Sequence, residues 1–185
     1  MNLSPLSWQS LSLSHTFQLT GEQVNFFDFQ PKAQQALSLF KSQEMGSLLV
    51  VKSEVLPEFL DELCIQLSIE NSQSVIVRTE FKASHLFGYT LFLEKENRIK
   101  TIEGAIQQAQ NGILVLRLNT LLHDLKQWDK LKQALLFGFY EQNAVNHVPE
   151  VLPAIQSPFK LLLVGSREDI SMLAAYDGDL YQFAQ

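Results

Sequence analysis

Eight residues invite a chemical reading first. Gly46-Ser-Leu-Leu-Val-Val-Lys52-Ser53 follows the spacing of the phosphate-cradling pattern G-x-x-x-x-G-K-[ST]. That pattern works because a glycine-rich backbone turns its N–H groups inward around phosphates while the lysine reaches the outer ones. Here Val51 stands in place of the second glycine, and the residues that ought to form the loop are an apolar run that reads as a strand. Aligned by that strand, the loop becomes Lys52-Ser53-Glu54-Val55-Leu56-Pro57-Glu58. It has no glycine and sets carboxylates where phosphates would lie, so a plain strand-to-helix turn with Pro57 opening the helix is the better account.

Further along, Ser166 and Arg167 are the polar residues that follow the last apolar run, and Ser166 with Asp169 three positions on is a variant of the helix capping box. His15, His85, His123 and His147 share no metal-ligand spacing, and Cys64 is the single cysteine, so neither a multi-cysteine zinc site nor a disulfide framework is expected. Asp177-Gly178-Asp179 reads as a two-carboxylate turn rather than a cation loop. No metal is expected.

The elements that must position these residues alternate. Residues 1–29 show isolated anchors (Trp8, Phe17, Phe26, Phe27) and no sustained period, an irregular leader; the core is expected over 30–185. A helix opens at Pro31, with Ala33, Ala36, Leu37 and Phe40 at three- and four-residue spacing, and ends near Gly46. Ser47 to Lys52 is a buried strand, Pro57 to Leu67 a helix with Phe59, Leu60, Leu63 and Leu67 inward, and Ser74 to Thr79 the next strand. Residues 80–103 are expected to form a hairpin or a long loop, with Leu91 to Leu93 a candidate hairpin arm before the charged turn Glu94 to Arg98. Glu103 to Gln110 is a short helix stopped by Asn111-Gly112, and Ile113 to Leu116 a third strand. Thr120 to Tyr140 is predicted as one long helix with Leu121, Leu125, Trp128, Leu131, Leu135 and Phe139 on a stripe. The proline-bearing loop 141–158, with at most a short edge strand, follows, and Phe159 to Val164 is the fourth strand. Alternating strands and helices predict an α/β three-layer parallel sheet.

The stretch Thr101 to Leu135, through Gly104, Ala105, Ala109, Gly112, Ile113 to Leu116, Leu121, Leu122, Trp128, Leu131, Lys132 and Leu135, resembles the Walker B region of Lon-like ATP-dependent proteases. Other pieces fall in the same order. Gln30-Pro31-Lys32-Ala33 with Ala36-Leu37 is similar to the helix that opens the family's domain, and Leu86-Phe87-Gly88 looks like an element upstream of Walker B. Leu173, Tyr176-Asp177 and Asp179-Leu180 resemble the segment beyond the sensor strand. The resemblance spans roughly residues 26–185 and implies a P-loop NTPase-like (AAA+) fold without its lid domain.

It also implies ATP and Mg²⁺ as the cofactors of the parent family. Its chemistry needs an Asp at the end of the third strand to hold magnesium, and that position matches Arg117, a cation, with Leu118 after it. Arg117 is expected to neutralise a carboxylate of the 52–58 turn, or else to lie in solvent. Lys52, Ser53 and Glu54 fall at the Walker A position and Ser166 and Arg167 at the sensor position, so no cofactor is expected in this chain. Phe87, Gly88 and Tyr89 lie where related ring ATPases carry an aromatic substrate-gripping loop, but burial in a strand is the preferred reading of these three residues. The family's Ser–Lys pair belongs to a separate C-terminal domain, so neither peptidase nor competent ATPase activity is expected of these residues. The implied partners are further copies, the lid and protease domains of a longer protein, and protein substrates.

Composition narrows the rest. Fourteen basic and twenty acidic residues leave a net charge of -6, with no Lys/Arg stripe to follow nucleic acid or an anionic membrane. The N-terminus lacks the pattern of a secretory signal, and apolar runs are far shorter than a membrane span, so a cytoplasmic setting is expected.

Overall fold

The computed structural model describes residues 26–69 and 73–184. The chain divides into a unit ending at Gln35 and a larger one from Ala36 onward. In the first, Phe26–Phe29 forms a 3-10 turn and helix α1 (Pro31–Ser42) begins with its proline where the missing N–H costs nothing. The expected leader lies almost wholly outside the described residues, Trp8 and Phe17 included.

The larger unit is built on four parallel strands in the order β1 (Leu48–Lys52), β8 (Lys160–Gly165), β5 (Ile113–Arg117), β2 (Val75–Arg78). All six residues of β8 are buried, as a central strand covered on both faces requires. Register pairs Leu48 with Leu161 and Leu161 with Leu114, so side chains of one parity line up across the sheet. Leu48, Leu114, Leu116, Leu161 and Leu163 face one core layer. Over it lie α3 (Ala83–Phe87), α4 (Ala105–Gln108), α5 (Leu118–Leu122), α6 (Lys126–Phe137), α7 (Arg167–Tyr176) and α8 (Leu180–Phe183). Leu49, Ile113, Val115, Leu162 and Val164 alternate to the other face, where α2 (Pro57–Ser68) brings Phe59, Leu63 and Leu67 at four-residue spacing. Each such leucine contributes about 1.5–3 kcal/mol when fully buried. The three-layer α/β sheet predicted from the alternation is the fold observed.

Lys160, the one charged residue in the all-buried β8, is 1% exposed. Its Nζ donates to the carbonyls of Phe40 (3.3 Å) and Lys41 (2.6 Å) at the end of α1. Burial pushes its ionisation down from the usual lysine range. Lys41 repeats the device one helix on, donating to the carbonyls of Gln66 and Ile69 at the end of α2.

One expectation is corrected. The helix predicted over Thr120 to Tyr140 is broken: α5 ends at Leu122 and α6 begins at Lys126. A continuous helix of that length would run about 31 Å past the core. The break at His123 to Leu125 lets Leu118 and Leu121, then Trp128, Leu131, Ala134 and Leu135, enter the same cluster. Asp124 lies just before the second helix, its carbonyl accepting from Gln127 N–H and its carboxylate from the Gln127 side chain. Gly138, at φ 71, then ends α6 in the left-handed region, so Phe139 falls in β6 (Phe139–Tyr140) and is exposed rather than on the stripe.

Of the hairpin and the long loop expected over residues 80–103, the structure forms the hairpin. Helix α3 precedes it, and β3 (Tyr89–Leu93) pairs antiparallel with β4 (Arg98–Ile102). The loop 141–158 contributes β7 (Ile155–Gln156), paired with β6.

Candidate functional site

Neighbouring strands β1 and β8 send their following helices, α2 and α7, to opposite faces of the sheet. Such a divergence opens a crevice beyond the strands' carboxyl ends, where ligands of open α/β sheets bind. An open cleft of about 320 Å³ lies there, lined by Lys52, Ser53, Glu54, Ser166, Arg167 and Glu168. The structure therefore brings the Walker A and sensor candidates together.

Their chemistry is mixed. Two cations, two carboxylates and two hydroxyls converge, with no net charge. Ser53 Oγ donates to the carbonyl of Glu54. Leu56, extended at φ -90 and ψ 143, precedes Pro57 and caps α2 with no side-chain bond, so the turn is the simple strand-to-helix connection that its proline predicts. Across the cleft, Ser166 Oγ accepts from Asp169 N–H (3.1 Å) and Asp169 Oδ2 accepts from Ser166 N–H (3.0 Å). This reciprocal cap takes two of the amides that α7 would otherwise offer an anion.

Arg117 lies elsewhere. Its Nη1 meets Glu80 Oε1 at 3.1 Å, not a carboxylate of the 52–58 turn, which corrects that expectation. The strand order explains it: β8 separates β5 from β1, putting the turn two strand spacings, about 10 Å, away. Glu80 follows β2, the immediate neighbour of β5 on the other side. With side chains 38% and 75% exposed, the pair is a surface ion pair contributing about 1 kcal/mol or less. Thr120 Oγ1 ties α5 to the carbonyl of Thr79 in the same region.

The aromatic candidates do not form a projecting loop. Phe87 is 2% exposed, its ring edge-to-face with Tyr140 at 5.7 Å and capped by Lys130 Nζ at 4.7 Å. Gly88 turns at φ 70, and a Cβ there would run into the carbonyl oxygen of Ile102. Tyr89 starts β3, half-buried. The substrate-gripping candidate is thus the end of a helix, a turn and the start of a strand.

The Asp177 turn is structural. Trp128 Nε1 and Lys132 Nζ, one turn apart on α6, both donate to Asp177 Oδ2, at 2.9 and 2.6 Å. Burial alone would raise the ionisation of Asp177, but these bonds, the Asp179 amide and the Lys132 charge outweigh it and hold the carboxyl below its ordinary range. Three matching residues, Trp128, Lys132 and Asp177, belong to one network that pins α6 to the turn after α7. Sequence reading placed them on a helix and a tail without linking them. Among the described residues, no three His, Cys, Asp or Glu side chains converge as metal ligands. No helix among them is long and apolar enough to cross a membrane.

The sequence profile of the LonB-like AAA domain matches residues 71–184, more than half of the chain. The chain belongs to the LonB-like AAA domain family. A protein of Haemophilus influenzae described as a Lon protease homologue is 27% identical over an alignment of 221 positions, covering 97% of this chain. This chain spans 37% of that relative's length. NtrX of Brucella abortus, solved in complex with ATP, superposes with a TM-score of 0.56 at 14% identity over 94% of this chain and 39% of its own. Its ADP complex gives 0.55 at 13% identity over 95% and 38%. At such identities NtrX shares the fold with the LonB-like domain, and that is all the likeness carries. The family match covers β2 to α8, the part of the sheet that holds Arg117 and Ser166, whereas Lys52 to Glu54 lie before it.

Proposed function

We propose that this LonB-like AAA domain works without nucleotide chemistry, as a scaffold for assembly or substrate handling in a Lon-like protein. The observation that carries the reading is Arg117 at the end of β5, paired with Glu80. Magnesium-assisted phosphoryl chemistry needs an acidic ligand there. A guanidinium repels the ion and cannot ligate it. Support comes from the cleft, where Glu54 and Glu168 oppose a polyphosphate and no glycine lets the 52–58 backbone wrap one.

Titration calorimetry of the chain with Mg·ATP, together with a steady-state hydrolysis assay, tests this. No saturable heat and no turnover above background are expected, and Arg117→Asp is expected to change neither. Tight Mg·ATP binding or measurable hydrolysis would falsify the scaffold reading. A second reading, an ATPase completed by a lid and neighbouring subunits, draws on Lys52-Ser53 and Arg167 in the cleft. Under it, Arg117→Asp raises Mg²⁺-dependent nucleotide affinity.

A further inference from the structure

We infer that the outer edge of β4 is a docking site for an extended, acidic polypeptide added as a further strand. This deepens the substrate-handling reading above and rests on it. The hydrogen bonds fix which backbone groups are open. Thr90 N–H donates to the Asn143 carbonyl at 2.7 Å, and Val145 N–H donates to the Thr90 carbonyl at 2.9 Å. Phe92 N–H and carbonyl are both met at 2.8 Å by the side-chain amide of Asn146. Thr90 and Phe92 therefore face away from the hairpin, and Tyr89, Leu91 and Leu93 face β4.

In an antiparallel pair, partners share that alternation. The register opposes Tyr89 to Ile102, Leu91 to Lys100 and Leu93 to Arg98, so these three residues of β4 turn their backbone groups inward. Ile99 and Thr101 turn theirs outward, and neither amide has a backbone partner among the described residues.

Two further observations say what fits this edge. The small sheet already grows by accepting irregular chain, since the segment at Ala144 bridges Thr90 and Asn146 imitates a peptide group beside Phe92. The charge on β4 then selects the partner. In a chain of net charge -6, β4 carries Arg98 and Lys100 and no acid, both exposed and on the same face; Arg98 already pairs with Glu96 in the turn before it, so among the described residues Lys100 is the cation that the strand leaves open. Opposite charges across neighbouring strands attract and like charges repel. Two copies pairing antiparallel about the centre of β4 would set Lys100 against Lys100. An incoming strand with alternate acidic residues meets Lys100 directly and competes with Glu96 for Arg98, while its other residues face Ile99 and Thr101. Main-chain bonds supply affinity in such a mode and alternate side chains supply selectivity.

The test is fluorescence anisotropy with the full chain and a fluorescein-labelled peptide of about ten residues alternating glutamate and valine. Saturable binding is expected, weakened about tenfold or more when lysine replaces every glutamate. Thr101→Pro removes an outward N–H while sparing the ladder bonds of its neighbours, so it should fold, by circular dichroism, and bind at least tenfold more weakly. Lys100→Glu should do the same through charge, and decides the matter if the proline variant does not fold. Absence of saturable binding, equal binding of the lysine peptide, or undiminished binding by a folded Thr101→Pro overturns the inference. So does a concentration-dependent dimer in sedimentation velocity that Thr101→Pro abolishes, since the occupant is then a second copy. Nucleotide binding by calorimetry would sink the scaffold reading and leave this edge untouched, so the two failures are distinguishable.

Discussion

Because Tyr140 is buried with its hydroxyl donating to the Phe87 carbonyl at 3.0 Å, it closes the end of α3 against β6 as well as packing its ring on Phe87. Tyr140→Phe keeps the ring and leaves a buried carbonyl unpaired, at an expected cost of about 1–2 kcal/mol in urea unfolding. The same hydroxyl gives a pH signature. Burial foremost, and the Glu103 charge, push its ionisation above the ordinary tyrosine value. A folded-state value above the unfolded one means that the contribution is complete below about pH 10 and is lost as pH rises toward the folded value. Urea midpoints measured upward from about pH 9 should therefore fall more steeply for the native chain than for Tyr140→Phe. Parallel slopes would place the alkaline sensitivity elsewhere. None of this was legible beforehand, because residues 87 and 140 meet only once the chain is folded. Lys160 teaches the same lesson: an apolar run predicted its strand, but its partner carbonyl at Lys41 is 119 residues away.

At the scale of elements, the base of the β3–β4 hairpin depends on two glycines set back to back. A Cβ on Gly104 would collide with the backbone of Gly88 N, Leu86 O and Phe87 C, all main-chain atoms that cannot swing aside. Gly104 also opens α4, its N–H donating to Gln107 Oε1 at 3.1 Å. Gly104→Ala should cost about 2–3 kcal/mol despite alanine's better helix propensity, since the backbone rather than a flexible side chain must yield. A thermal midpoint equal to that of the native chain would show that the seam relaxes freely. The sequence marked both glycines, Gly88 after Leu86-Phe87 and Gly104 before Ala105, through resemblance alone; their contact supplies the physical reason. Strands were the most legible elements, since uninterrupted runs such as Leu161 to Val164 have few other uses than a doubly covered sheet. The break at Asp124 was not, because apolar residues on both sides keep helical spacing and only packing reveals that one straight helix cannot serve both.

For the whole molecule, the α/β topology brought the cleft residues together as their order along the strands implied, whereas Arg117 went to Glu80 because strand order, which the sequence leaves open, decides lateral neighbours. The consequence can be read from global stability. A ligand that binds only the folded state adds about 2.7 kcal/mol at a concentration a hundredfold above its dissociation constant. For a chain of this size that is a shift of about 5–11 °C in the thermal midpoint. A domain binding Mg·ATP with a constant near 10 µM would show it at about 1 mM nucleotide. With Glu54 and Glu168 in the cleft, the Ser166 and Asp169 amides taken by their own cap and Arg117 where the resemblance implies a metal-binding acid, the scaffold proposal expects a shift under about 1 °C. Sulfate at the same ionic strength controls for general anion effects, which strengthen burial in any protein. A nucleotide-specific shift of about 5 °C or more would mean that the mixed charges of the cleft rearrange around a polyphosphate, and the proposal that this domain works without nucleotide chemistry would have to be withdrawn.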